Sequence, residues 1–159
     1  MNRWPRHALL VVLAAGVAPA ARAGEITLFA ARVRPSENWG NGYGAALTTT
    51  WFHVIGLEAE AARLPGQVPE RMMTTFSGSA FLAPPIGGLV PYGGIGIGLF
   101  RQSAGARNDT GIVRTTVLGA KVAIKNLIVL RADYRWLRLS GDPLLTADSR
   151  LSVGAGLRF

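Results

Sequence analysis

Glu58 and Glu60 are two residues apart, the spacing that places two side chains on the same face of a β-strand. A pair of carboxylates can act as general acid and general base when a substrate fits between them. If this strand belongs to a narrow barrel, both carboxylates point into an interior that is filled by side chains, and no room is left between them for a substrate. We therefore predict that this pair has a structural role.

Other catalytic or metal chemistry lacks the residues that it needs. His53 is the only histidine after residue 23, it falls in a predicted turn without a serine or acid close by in the sequence, and the chain has no cysteine. A nucleophile needs a neighbouring base, and a zinc site needs several nitrogen or sulfur ligands. The alternating glycines at 94, 96 and 98 resemble a nucleotide-binding loop only superficially, because no strand-helix-strand unit surrounds them. We predict a protein that is not an enzyme and has no metal or cofactor.

Charged residues in other segments follow the same alternation. In the segment around Arg131, Asp133 and Arg135, the charged residues alternate with apolar ones, so one strand face is polar and the other apolar. The polar faces together collect Glu58, Glu60, Lys121, Arg131, Asp133, Arg135, Arg150 and Arg158. Buried charges are tolerated only as ion pairs or with water. We predict a salt-bridge network that fills a barrel interior; the alternative is a narrow pore for ions or small solutes.

The last ten residues show most clearly the element that positions these charges. Leu151, Val153, Ala155, Leu157 and Phe159 form one face, and Arg150, Ser152, Gly154, Gly156 and Arg158 form the other. Similar segments predict eight strands over residues 26–34, 43–52, 55–63, 72–82, 89–100, 112–124, 127–139 and 150–159. The connections are long after the first, third, fifth and seventh strands and short after the others.

This alternation of loop lengths is typical of outer-membrane barrels, which have an even number of strands, long external loops and short periplasmic turns. The predicted fold class is therefore all-β, an eight-stranded antiparallel up-and-down transmembrane β-barrel. Its apolar face would meet lipid and its polar face would line the lumen. A soluble periplasmic barrel that binds an apolar ligand is the less favoured alternative, since it needs no such asymmetry of loops.

Residues 1–23 have the layout of a secretory signal peptide. Arg3 and Arg6 precede an apolar run over residues 8–18, and Ala21-Arg22-Ala23 forms a cleavage site of small residues. We expect cleavage before Gly24 and a single barrel domain over residues 24–159, without a peptidoglycan-binding domain after it. The formal charge of +8 is spread over scattered arginines, which disfavours a nucleic-acid partner.

Aromatic residues near the predicted strand ends are expected to form two membrane-interface belts. The external belt would contain Tyr43, Phe100, Tyr134 and Trp136, and the periplasmic belt Trp51, Phe81, Tyr92 and Phe159. Arginines near the external ends, at positions 34, 63, 71, 101, 107, 114 and 138, could pair with lipopolysaccharide phosphates. Ordinary anchoring of the barrel by rim charges is the favoured interpretation.

The chain resembles the small outer-membrane barrels of the OmpA/OmpX type. The resemblance is carried by Gly42-Tyr43-Gly44-Ala45, by residues 55–60 and 91–96, and by the alternating last strand that ends in Phe159. It implies a location in the cell outer membrane, with outer-membrane lipid and lipopolysaccharide as partners. It also implies that Phe159 is part of the signal read by the outer-membrane assembly machinery. We expect a monomer. We do not expect a lipid A deacylase, although small outer-membrane deacylases are also eight-stranded barrels, because their late strands carry a histidine that this chain lacks.

Overall fold

In a computed structural model, the protein is a closed barrel of eight strands. The structure describes residues 24–34, 40–52, 54–65, 71–104, 107–141, 143 and 147–159. The strands are β1 (Gly24–Arg34), β2 (Gly40–Trp51), β3 (Ile55–Pro65), β4 (Arg71–Leu82), β5 (Leu89–Ala104), β6 (Arg107–Ile124), β7 (Ile128–Leu139) and β8 (Ser149–Arg158). Each strand pairs antiparallel with its neighbour in the chain, and β1 pairs with β8 over ten residues. The predicted fold class of the barrel is confirmed. The expected signal peptide and His53 lie outside the described residues.

The alternation of apolar and polar residues determines which side of the barrel each side chain occupies. Leu151, Val153 and Leu157 on β8 are exposed on the outside, whereas Arg131 and Asp133 on β7 are buried inside. Exposed apolar residues cover the outside of the other strands as well, with Ile95 on β5 reaching 69% exposure. A soluble barrel has the opposite arrangement, so the alternative of a soluble barrel with an apolar ligand cavity is wrong. Among the described residues, no helix is long and apolar enough to cross a membrane.

Strands β5 and β6 are longer than the sequence predicts. Residues 102–111 are expected as a loop because they are rich in serine, glycine, asparagine and aspartate. The structure continues the hairpin instead, with Gln102 paired to Asp109 and Ser103 paired to Asn108. The Ser103 hydroxyl also donates to Asn108 Oδ1 at 2.6 Å, so this pair supports the strands through a side-chain bond. Because β7 ends opposite Val113, the tip of this hairpin extends beyond β7.

Tight turns join the strands at the end of the barrel where β1 begins and β8 finishes. We refer to this end as the terminal end, and to the other as the distal end. Lys125 and Asn126 have φ values of 51° and 57°, which is the backbone geometry of a two-residue hairpin turn. This agrees with the short turn predicted at these two residues. The turn between β4 and β5 uses Gly87 at φ 62°.

Candidate functional site: the charged lumen

Glu58 lies at the centre of the lumen on β3 and is bound by two arginines from β7 on the opposite wall. Arg131 Nη1 donates to Glu58 Oε2 at 2.5 Å, and Arg135 Nη2 donates to Glu58 Oε1. Thr48 Oγ1 donates to Oε2 at 3.1 Å. Both oxygens of this buried carboxylate therefore have cationic donors, which compensates for its removal from water.

Asp133 extends the central network along β7. Its Oδ2 accepts from Arg131 Nε at 3.1 Å and Nη2 at 2.8 Å, and its Oδ1 accepts from Arg135 Nε at 3.1 Å. The hydroxyl of Tyr92 donates to Oδ2 at 3.0 Å. The spacing of two residues along one strand allows both arginines to reach the carboxylate between them.

Glu60 forms a second buried pair, closer to the distal end. Arg150 on β8 donates to both oxygens of Glu60, from Nη1 at 2.8 Å and from Nη2 at 2.6 Å. This two-bond geometry gives the pair orientation as well as charge compensation. Arg135 Nη2 is also 3.3 Å from Glu60 Oε2, so the second pair is joined to the central network.

A third group lies at the terminal end and contains an acid that the sequence analysis missed. Lys121 Nζ donates to the two oxygens of Glu25 at 3.0 and 2.8 Å, and Arg158 Nη2 donates to Oε1 at 2.6 Å. Arg158 remains partly open, with 27% of its side chain exposed. Glu25 was missed because the predicted first strand began at Ile26. The alternation with Thr27 would have placed it inside.

The structure thus places all eight predicted lumenal charges inside the barrel and pairs each of them with an opposite charge. In the described part of the chain these ion pairs involve four acids and five bases, in one group around Glu58, Asp133 and Glu60 and a separate one around Glu25. Every one of these acids contacts at least two cationic nitrogen atoms. The described residues contain no group of three or more histidine, aspartate or glutamate side chains that could hold a metal ion.

An apolar layer lies in the lumen on the distal side of the charges. It contains Phe29, Ala31, Val33, Ala46, Ala62, Leu64, Met73, Phe100, Val113, Leu137 and Ala147, all buried. Seven of the eight strands contribute to it, so the layer crosses the whole barrel. The guanidinium carbon of Arg150 lies 4.9 Å from the centre of the Phe29 ring, where the charged and apolar layers meet. A smaller apolar cluster of Phe81, Ala83, Tyr92 and Val117 lines one wall towards the terminal end.

Three aromatic residues are not where the sequence analysis placed them. Phe81, Tyr92 and Phe100 were expected in the membrane belts, and this is wrong, because all three are buried inside the barrel. Position near a strand end does not decide the face of a residue; its place in the alternation does. On β5, for example, Leu99 points outward, so Phe100 must point inward.

The remaining predicted belt residues are on or near the outer surface. Tyr43 and Trp136 are exposed, and Trp51 and Tyr134 are partly exposed. The rings of Tyr134 and Trp136 pack edge to face, 4.8 Å apart. Phe159 is also exposed, and its backbone exchanges hydrogen bonds of 2.8 and 2.9 Å with Gly24 at the start of β1.

Comparison with known proteins shows a shared fold. No protein-family model matches the chain, and no curated protein matches it. Among solved structures it is similar to Neisserial surface protein A (NspA), with a TM-score of 0.67 and 16% identity over 86% of this chain and 94% of that one. The N-terminal β-barrel domain of Pseudomonas aeruginosa OprF gives a TM-score of 0.64 and 16% identity, over 89% of this chain and 100% of that one. The outer membrane enzyme PagL gives a TM-score of 0.52 and 15% identity, over 84% of this chain and 98% of that one.

The chain therefore has the fold of the small eight-stranded outer-membrane β-barrels, the class that the resemblance to the OmpA/OmpX type predicted. Its outer surface is apolar around the barrel, as a surface in contact with lipid must be. The presence of an enzyme among these similar structures means that the fold does not decide the activity. The contents of the lumen and the surface residues must decide it.

Proposed function

We propose that the protein is a non-enzymatic integral protein of the outer membrane, with a structural or surface-interaction role and a lumen that does not conduct. The observation that carries this proposal is the apolar layer on the distal side of the charge network. An ion that entered from the distal end would have to lose its water in that layer, which is costly. It would then meet charges that already neutralise one another.

The narrow-pore alternative requires an open path through the lumen, and the burial of the lumenal side chains argues against one. An eight-stranded barrel has an interior just wide enough for side chains to fill. Here Phe100 and Val113 in the apolar layer are each only 1% exposed, and Arg135 in the charged layer is equally buried. These values support a closed interior.

The absence of enzymatic activity is supported by the state of the acids. Glu58, Glu60 and Asp133 are each held by arginines and are buried, so none is positioned to exchange a proton with a substrate in the surrounding medium. The sequence offers no cysteine, and one histidine after residue 23. The partners we propose are outer-membrane lipid, with lipopolysaccharide, and the outer-membrane assembly machinery, which would read the exposed Phe159 at the end of β8.

Conductance of the purified barrel in planar lipid bilayers tests the proposal directly. We expect no discrete current steps in neutral salt solution, because the apolar layer blocks hydrated ions. The control is the same preparation with a known porin added, which must give steps under identical conditions. Reproducible ohmic steps from the protein alone would establish the narrow-pore alternative.

A further inference from the structure

Two arginines stand directly opposite one another on the outer surface of the barrel. Arg114 on β6 pairs in register with Arg138 on β7, and both side chains are exposed. Directly opposed residues of an antiparallel pair have Cβ atoms about 5 Å apart, so the two arginine side chains leave the sheet side by side. Like charges in this position are destabilising unless an anion lies between them.

The described part of the chain supplies no such anion. Neither Arg114 nor Arg138 takes part in any of its salt bridges. Asp148 borders the same groove but forms no ion pair with either arginine. Even if its charge is counted, the groove keeps a net charge of +1.

The surface next to this arginine pair is apolar. Ile95, Ile97 and Trp136 border the same outer groove and are 69%, 60% and 45% exposed. Ile97 pairs with Arg114, and Trp136 lies two residues before Arg138 on the same face of β7. The groove therefore combines two cations with an apolar floor, and Trp136 is a residue type that favours the membrane interface.

We propose that Arg114 and Arg138 bind the phosphate of an anionic lipid in the leaflet at the distal end, whose acyl chains lie against Ile95, Ile97 and Trp136. This inference rests on the membrane location proposed above. Arginine suits this role because its planar donor fork matches two phosphate oxygens, and two opposed arginines can hold one phosphate from both sides. A lipid supplies both the anion and the apolar chains that the groove accommodates.

A second pair of distal arginines provides a matched control. Arg63 and Arg101 also face outward, but each is paired in register with Thr74, so a whole strand separates them. Arg63 Nε is already engaged with Met72 Sδ at 3.0 Å. Removing these two arginines makes the same change in charge at the same end of the barrel without disturbing the opposed pair.

The test is a titration with lipid A, in which lipid adducts on the detergent-purified barrel are counted by native mass spectrometry. We expect R114Q/R138Q to weaken lipid A binding by about tenfold, because it removes charge-assisted hydrogen bonds. R63Q/R101Q should change it by less than about threefold, as removal of exposed charges does. Lipid A without phosphate groups should bind the wild-type barrel no better than it binds R114Q/R138Q. Excess inorganic phosphate should compete only weakly, since it cannot use the apolar floor.

Equal losses in the two double variants would overturn the inference in favour of a general attraction to a basic rim. Tight binding of the phosphate-free lipid would overturn it as well, and so would inorganic phosphate that binds as well as lipid A. The migration of unboiled protein on gels checks that each variant is folded. If R114Q/R138Q does not fold, the single variant R138Q is used in the same lipid A titration. A wild-type barrel that does not enter membranes would instead contradict the proposed function.

Discussion

Glu58 shows how a single side chain can hold two walls of the lumen together. Its carboxylate receives Arg131 and Arg135 from β7, although β3 and β7 are not neighbours in the barrel. A buried charge is unfavourable unless an opposite charge compensates for it. Loss of the Glu58 carboxylate would leave Arg131 and Arg135 buried with less compensation. The acid therefore matters more for the stability of the barrel than its own hydrogen bonds alone would indicate.

We predict that E58Q lowers the free energy of unfolding by about 3 kcal/mol or more. Glutamine keeps the size of the side chain but leaves the two guanidinium groups with Asp133 and Glu60 only. Urea-induced unfolding of the barrel in lipid vesicles measures the effect. D148N is the control, because Asp148 is exposed and outside the salt-bridge network, and it should change stability by less than about 0.5 kcal/mol. Equal effects of the two substitutions would show that the central network contributes little.

At the scale of the strand, β5 shows why small residues face the lumen. Gly94, Gly96 and Gly98 alternate with outward-facing Ile95, Ile97 and Leu99. A methyl group at Gly96 would overlap Ser79 Oγ and lie 2.6 Å from Thr115 Oγ1 and 2.7 Å from the carbonyl oxygen of Gly78. The glycine row thus allows the neighbouring strands and their side chains to fill the interior at close range.

We predict that G96A destabilises the barrel by about 1–3 kcal/mol, since the strand must move to accept one methyl group. The yield of folded protein, seen as the fraction that migrates differently without boiling, and urea unfolding both measure this. G88A is the matched control, because a methyl group there meets nothing within 4 Å. If G96A is as stable as G88A, the interior is less tightly packed than the structure indicates.

The alternation along each strand was enough to predict eight of the lumenal charges, but not Glu25, which lies before the predicted first strand. The same alternation places Phe81, Tyr92 and Phe100 inside. The prediction for these three residues was wrong because it used their distance from the strand ends instead. The partners inside the lumen were beyond prediction from the sequence. Lys121 meets Glu25 from 96 positions away, a contact set by the stagger of strands in the closed barrel. Polar composition also misled at residues 102–111, since the backbone hydrogen bonds that pair strands do not depend on apolar side chains.

At the scale of the whole molecule, the outer surface is largely apolar and the salt-bridge network lies within. Soluble proteins rarely expose continuous apolar surfaces of this extent. Lipid can cover such a surface, whereas water cannot do so without a large loss of free energy. The distribution of side chains thus supports insertion of the entire barrel.

We predict that the protein fractionates with the outer membrane and that its folded form migrates differently on gels before and after boiling. Folded membrane barrels resist detergent because each strand is bonded on both sides. Washing membranes with high salt is the control for peripheral attachment, and the protein should remain bound. Recovery in the soluble periplasmic extract would contradict membrane insertion.

The ion pair between Glu25 and Arg158 has a consequence for the closing of the barrel. These residues belong to the first and last strands, are opposed in register, and join the two edges that close the cylinder. Lys121 on β6 reaches the same carboxylate across the lumen, so both cations meet Glu25 only when β1 is paired with β8. The two ion pairs therefore favour the closed cylinder over an open sheet, in which Glu25 would lack both charge partners.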